Sequence, residues 1–410
     1  MVKKILVVVD SIDENAGSGA KANIALIINL NKAGYIVKVY HYSRKEIVLE
    51  GVTCVGIAEQ KWNLFFILGR LQRLLARWTG INLNKVIENA IGFSFTFLND
   101  SNSIKKAIKD ENTFKPDLVL TLSQAASFRP HHALLKIPQW HSKWMAYVHD
   151  PYPFHCYPKP YNWYQDGYKQ KEHFFYQVSE KATYSAFPSL LLKEWMGQFF
   201  PTFTQTGIVI PHQVYRTHLT IELPSFFRKD SFTLLHAGNL LSPRNPTGLL
   251  KGFDIFLNNH PEALNDTQLM LIGGHDYYKQ FLQTFASNPL IVIASQLDYN
   301  TSILLQQQTS VNIIIEAKST ISPFLPGKFP HCVQADRPIL LLAPEKSETK
   351  RLLGQDYPFW AEIDDSEKIA QLISNLYQQW KNAPENFNLN RSDLVAYCDV
   401  DELKHTLDKL

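Results

Sequence analysis

The apolar positions of this chain fall into two successive series of the same kind. Ile5 to Val9 form an unbroken aliphatic run that stops at Asp10, the pattern of a strand buried on both faces of a parallel sheet. A polar loop with Gly17 and Gly19 follows. Ala22, Ala25, Leu26, Ile28, Asn29 and Leu30 then recur at helical spacing until Gly34 stops them. Residues 36–42 predict the next strand, so the opening is a βαβ unit, which closes right-handed onto a parallel sheet. Buried strands are further predicted at Leu118–Leu122, 145–149 and 208–210. After the charged stretch 226–230 the pattern restarts. Strands are predicted at Phe232–Ala237, 269–272, Ile291–Ala294, Val311–Ile315 and Ile339–Leu342, and helices at 246–257, 301–308 and 366–380. The fold class this predicts is α/β: two facing, Rossmann-like, doubly wound parallel-sheet domains with an interdomain cleft. The expected division is 1–225, 226–385 and a helical tail over 386–410.

Composition narrows the function classes. At 410 residues the chain has room for two or three domains of roughly 100–200 residues. A net charge of +3 argues against a general polyanion-binding surface, and no nucleic-acid partner is expected. Cys54, Cys156, Cys332 and Cys398 stand far apart with no paired spacing, so neither a disulfide framework nor a zinc site is expected. The first apolar run is too short for a signal peptide or a membrane span, and a cytoplasmic location is the expectation.

Several loops could carry chemistry. Gly17-Ser18-Gly19-Ala20-Lys21-Ala22 matches a dinucleotide fingerprint at a helix entrance, but Ser11 to Ala16 separate it from the first strand. Three readings stand: an NADP site using Arg44, a turn that needs glycine for its geometry, and a loop approaching a ligand in the cleft. In the second series, Gly238 to Pro246 follow a strand and include Arg244. Ser322-Pro323-Phe324-Leu325-Pro326-Gly327-Lys328 also lies between a strand and a helix. Two cations on two strand-end loops of one sheet could clamp one diphosphate; solvated loop charges are the alternative. Asp399-Val400-Asp401 mimics a metal-binding Asp-x-Asp but lies beyond the predicted cores, so no metal site is expected.

In order and spacing these motifs resemble those of the GT-B glycosyltransferases of the retaining family 4 type, along most of the chain. Gly238 matches the glycine of that family's Gly-Arg, Asn239 stands for the arginine, and Arg244 falls on the lysine that follows. Residues 269–273 resemble the next strand and its glycine, and Gln296-Leu297-Asp298 the loop that holds the nucleobase. Ala335-Asp336-Arg337-Pro338 resembles an Ala-x-Gly-x-Pro ending with Asp336 for glycine, and Val209-Ile210-Pro211-His212-Gln213-Val214 the segment closing the first domain. The family's pair of spaced glutamates is missing. His331 and Pro323 fall on those positions, Glu316 lies too far upstream to substitute, and His331 is either a ribose partner or a histidine satisfied at a helix start.

The resemblance implies transfer of a sugar from a nucleotide-sugar donor to a hydroxyl of a glycan or lipid-linked acceptor, with retention and without metal or cofactor. Arg244, Lys328 and His149 are then the expected catalytic residues. Gly17, Gly19, Gly238, Asn239, Leu297, Phe324, Leu325, Pro326, Gly327 and His331 are expected on the donor, with Asp150, Tyr152, Arg70 and Arg73 on the acceptor side. His149 could equally be a satisfied strand-end residue, and the aromatic cluster from Tyr152 to Tyr164 either meets sugar faces or packs as a loop. A non-catalytic homologue that binds sugars or a partner, and an NADP-dependent oxidoreductase, are the alternative functions.

Residues 61–78 predict one more helix, with Arg70, Arg73 and Arg77 on one face beside Trp62 and Phe66, and Ile67, Leu71, Leu74 and Trp78 on the opposite stripe. Either the aliphatic stripe packs on the core and the arginines are solvated, or the basic face rests on an anionic bilayer at the inner face of the membrane.

Overall fold

The computed structural model describes residues 3–215 and 222–410. These form two compact units, Met1–Tyr215 together with Asp399–Leu410, and Arg216–Cys398. The expected tail is divided between them: the helix Ser392–Tyr397 belongs to the second unit and the helix Val400–Asp408 to the first.

The first unit is built on seven strands: β1 (Lys4–Val9), β2 (Ile36–His41), β3 (Thr53–Gly56), β4 (Leu118–Leu122), β5 (Trp144–Tyr147), β6 (Tyr184–Phe187) and β7 (Gly207–Val209), in the order β3-β2-β1-β4-β5-β6-β7. Every pairing is parallel, with Ile5 opposite Val37 on one side and Leu118 on the other. The central β1 is the unbroken aliphatic run, and Leu6 to Val9 are fully buried. Leu6 and Val8 pack with Ile104 and Ile108 of the helix Phe95–Lys109 and with Phe128, Phe174 and Phe175. The helix Val400–Asp408 lies against the helix Ser18–Lys32, where Lys3 Nζ donates to the Leu407 carbonyl (2.8 Å) and Tyr35 OH to Asp408 Oδ1 (2.7 Å).

The second unit repeats the winding. β8 (Phe232–Ala237), β9 (Thr267–Ile272), β10 (Ile291–Ala294), β11 (Val311–Ile315), β12 (Ile339–Leu342) and β13 (Trp360–Ala361) lie in the order β10-β9-β8-β11-β12-β13, again all parallel. Its core packs the helices Thr247–Asn259 and Ser366–Asn382 onto one face through Phe253, Phe256, Ile369 and Ile373. Gly248 and Gly252 make their close approach possible. A methyl on Gly248 would overlap the Ile363 carbonyl oxygen, and one on Gly252 would come within 2.7 Å of Ile369 Cγ2.

The two expected doubly wound sheets are therefore present. β3, β6 and β13 were not predicted, because Thr53–Gly56 is a half-exposed edge, Tyr184–Phe187 mixes polar and apolar residues, and Trp360–Ala361 is too short to show a period.

Candidate functional site

Each sheet reverses its winding between the first and fourth of its strands in sequence, at β1/β4 and at β8/β11. Ligands of open α/β sheets bind beyond the carboxyl ends of the strands at such a point. In the second unit His236 is the penultimate residue of β8, Gly238 follows its end, Glu316 follows β11, and Lys328 directly precedes the helix Phe329–Gln334. Lys328 Nζ reaches back to β8 and lies 3.4 Å from His236 Nδ1. A Cβ on Gly238 would stand 2.5 Å from that nitrogen, so the missing side chain leaves the ammonium its place. Arg244 is close enough for its charge to act on Lys328, His236 and Glu316. Its Nε is buried without a partner. An unsatisfied buried donor costs about 1–3 kcal/mol, which an anionic ligand would relieve.

Burial dominates the protonation of this cluster. It pushes the Lys328 ammonium down to about 7, with Cys332 opposing the shift and Arg244 adding to it. It lifts the Glu316 carboxyl to about 7, although Ser322, Thr349, Arg244 and Ser347 favour the anion. Buried His236 is held far below the usual histidine range, with Lys328 adding to the effect of burial. As pH rises through about 7, Lys328 loses a positive charge and Glu316 gains a negative one. Both changes oppose a bound anion. Inorganic pyrophosphate, titrated calorimetrically between pH 6 and 8, should therefore bind more weakly at the higher pH. The limiting slope is about tenfold per pH unit for each proton that binding requires, and a flat profile would contradict this assignment.

The neighbouring donor-side residues are held by local bonds. Asn239, where the family carries arginine, accepts from Gly274 N through Oδ1 (2.8 Å), and Leu240 N donates to the Gly274 carbonyl (2.8 Å). The carboxamide thus staples the loops after β8 and β9. Gly273 between them has φ +139° and would bring a Cβ within 2.5 Å of the Gly238 carbonyl oxygen. Asp298 caps the helix Tyr299–Gln308, and Tyr299 OH lies 3.1 Å from His331 Nε2, which brings the Leu297 loop and His331 together. Leu325 is buried with Ile314 and Phe329 and can offer a ligand only its backbone, whereas Gly327 is exposed between half-buried Pro326 and Lys328. Phe324 is half-buried in the same loop. Asp336 has φ +51°, the left-handed region a glycine would occupy, and its Oδ1 accepts from Asn390 N (2.8 Å). Aspartate is among the few residues that tolerate this region.

In the first unit the expected residues have evident structural work. Gly17, at φ +104°, opens the helix Ser18–Lys32, and a Cβ on Gly19 would come within 3.1 Å of Gln124 Cγ. His149 lies in the loop beyond β5. It donates from Nε2 to Asn23 Oδ1 (2.7 Å), stacks on His212 at 5.5 Å, and is held neutral by burial and by the neighbouring His212 and His131. Half-buried Asp150 follows it. Tyr152 is buried against Phe128 and Phe175, which leaves its ring no face for a sugar. Asp399 of the Asp-x-Asp accepts from Val400 N and caps the last helix.

The helix predicted over 61–78 forms as Leu64–Thr79, with Asn63 as its cap. The aliphatic stripe does not pack on the core. Leu71 is 56% exposed, Trp78 81% and Trp62 95%, with Leu64, Ile67, Leu74 and Leu75 also exposed. Gly69 and Phe65 make the inward contact instead, against Phe95 and Thr96. Arg70 stacks over Phe66 at 4.8 Å, and Arg73 donates to Thr96 Oγ1 (3.3 Å). Of the two readings the core-packed stripe does not hold, because helical periodicity separates two faces without saying which one turns inward.

No family model matches the chain, and no curated protein matches it by sequence. Solved structures do match. A glycosyltransferase from Rickettsia africae superposes with a TM-score of 0.64 at 12% identity, over 100% of this chain and 97% of its own. HepE of Anabaena, in complex with UDP and glucose, gives 0.61 at 14% identity over 100% of both chains. The sucrose-phosphate synthase of Thermosynechococcus elongatus gives 0.64 at 12% over 99% and 98%. This chain has the GT-B fold.

Two residues of the GT-B second unit escaped the sequence reading, His236 and Glu316. His236 is one polar residue inside an apolar strand, and its only signal was its position two residues before Gly238. Glu316 was set aside because its spacing differs from the family's glutamates, yet it stands buried at the end of β11 within reach of the Arg244 charge.

Proposed function

We propose that this chain transfers a sugar from a nucleotide-sugar donor to a hydroxyl of a glycan or lipid-linked acceptor, with retention of configuration and without a metal ion. The observation that carries the reading is the Lys328–Arg244–His236 cluster at the β8/β11 switch point, with a buried guanidinium nitrogen still unpartnered. Structures of HepE with UDP-glucose and of a trehalose-6-phosphate enzyme from E. coli with UDP-2-fluoro-glucose support a donor of this class. In the proposed step the bond from the anomeric carbon to the phosphate oxygen breaks, and the acceptor oxygen bonds to that carbon on the same face. The acceptor proton passes to the departing phosphate. Lys328 and Arg244 stabilise the charge growing on the leaving group, the contribution preorganised donors make in a water-excluded site. Thermal shifts against UDP-, GDP- and ADP-sugars test the reading. A donor present at 100 times its dissociation constant stabilises by about 2.7 kcal/mol, and no shift with any of them would refute it.

The acceptor side of the proposal includes peripheral contact with an anionic bilayer through residues 61–78. Among the described residues no helix is long and apolar enough to cross a membrane. The exposed Trp62 beside the exposed Arg70, Arg73 and Arg77 supports a helix that rests on an anionic surface by that face. Each basic residue near such a surface contributes about 1 kcal/mol, so changing all three arginines to Gln should weaken binding to anionic vesicles by about a hundredfold. Co-sedimentation at low and high salt measures this, and equal sedimentation of variant and wild type speaks against the membrane role.

A further inference from the structure

The switch point of the first sheet holds a second polar site. A pocket of about 410 Å³ opens where β1 and β4 diverge, within the range of about 300–1,000 Å³ usual for small-molecule sites. Asp10, the residue after β1, lines it and is 7% exposed. Its Oδ2 accepts from Ser127 Oγ and lies 3.6 Å from Arg129 Nη1, but its Oδ1 is buried with no hydrogen-bond partner. Gln124, just beyond β4, lines the same pocket. Its Nε2 donates to the Ala16 carbonyl (3.1 Å), while its Oε1 is also buried without a partner. Two acceptor oxygens therefore line one pocket with nothing donating to them.

The surrounding charge narrows what could. Asp100 also lines the pocket, accepts from Tyr42 OH (2.9 Å), and lies 3.2 Å from Arg129 Nε and 3.4 Å from Arg44 Nη2. Three carboxylates, Asp10, Asp13 and Asp100, thus line the pocket with two guanidinium groups, and Lys45 Nζ pairs with Asp13 (2.5 Å), so the acidic and basic groups balance and leave no excess charge to recruit an ion. Arg129 Nε, although 3.2 Å from Asp100 Oδ2, is itself buried without a hydrogen bond, so a ligand that satisfies the site is neutral and brings two donors and an acceptor, as hydroxyl groups do.

We infer that this pocket binds the hydroxyl groups of a sugar ring, with Asp10 Oδ1 and Gln124 Oε1 each accepting from one hydroxyl, and that it is the subsite for the acceptor glycan. The inference rests on the glycosyl-transfer reading for the word acceptor, not for the sugar. Burial raises the Asp10 carboxyl above its ordinary range against the pull of Arg129 and Ser127, as expected of a carboxylate that still lacks a donor.

Saturation-transfer NMR with methyl glycosides of glucose, galactose, mannose and N-acetylglucosamine tests it, on wild type, Asp10→Asn and Gln124→Leu. At least one glycoside should show transfer from the wild type, and each variant should weaken it by about tenfold or more, the scale for losing one hydrogen bond to a charged or buried group. UDP, GDP and ADP titrations on the same samples report the second unit and should not change. Gln124→Leu alters a partly exposed position, so it remains informative if Asp10→Asn melts early. No glycoside transfer from the wild type, or equal transfer from both variants, would overturn the inference. So would broadening of the inorganic phosphate signal by wild type but not by Arg129→Gln, since the pocket would then be an anion site. Glycoside binding without any nucleotide-sugar binding would uphold the pocket and remove the donor reading.

Discussion

Lys328→Ala and Arg244→Ala should each slow sugar transfer by roughly 10²–10³-fold, the scale for losing one preorganised donor to a developing negative charge. Folding should survive both changes. The Lys328 ammonium is already disfavoured by burial, so its removal relieves a penalty rather than leaving a charge unpaired. Arg244 Nε has no protein partner to orphan. Arg244→Lys should be much milder, because the resembling family carries lysine at this position. The two alanine changes should combine to less than the product of their effects, since both groups serve one leaving group. Initial rates of nucleotide release measure all four variants, and normal turnover in both alanine variants would move the donor site elsewhere.

Gly248→Val should destabilise the second unit by about 3 kcal/mol, at the upper end for overpacking a tight contact. The cause is backbone against backbone. The new side chain would meet the Ile363 carbonyl and Asp364 Cα, which cannot swing away as a long side chain could. The helix it displaces begins at Thr247, just after Arg244, so the strain should also reach the donor loop and weaken nucleotide binding. Gly327→Ala is the matching control: nothing lies within 4 Å of the added carbon, and the urea midpoint should not move. Equal midpoints for both variants would mean that these helices pack more loosely than Gly248 and Gly252 imply.

The sheets were legible because parallel strands buried on both faces are written as continuous aliphatic runs, and Ile5 to Val9 and Ile339–Leu342 are such runs. Lys328 was legible because Gly327-Lys328 stands between a strand and a helix. The pocket at β1 and β4 was not. Asp10 and Gln124 come together only when two strands more than a hundred residues apart in the chain pair side by side. No spacing rule joins such residues. For Tyr152 the proline- and tyrosine-rich loop left two roles open, a sugar-facing ring or a packed one, and Phe128, Phe174 and Phe175 close over it. For residues 61–78 the period gave the helix but not which face turns inward, and the reading with the aliphatic stripe on the core does not hold. Gly69, without a side chain, lets the helix approach Phe95 and Thr96 on another face.

The return of Val400–Asp408 to the helix Ser18–Lys32 makes the second unit an insertion within the first. Domains fold as units during synthesis, ordinarily the N-terminal one first. In this chain the first sheet emerges early, but the helix that covers Tyr35 and Lys3 is translated only after the whole second unit. The contiguous second unit can therefore fold before the first is complete, and the first keeps an uncovered flank until that helix has emerged.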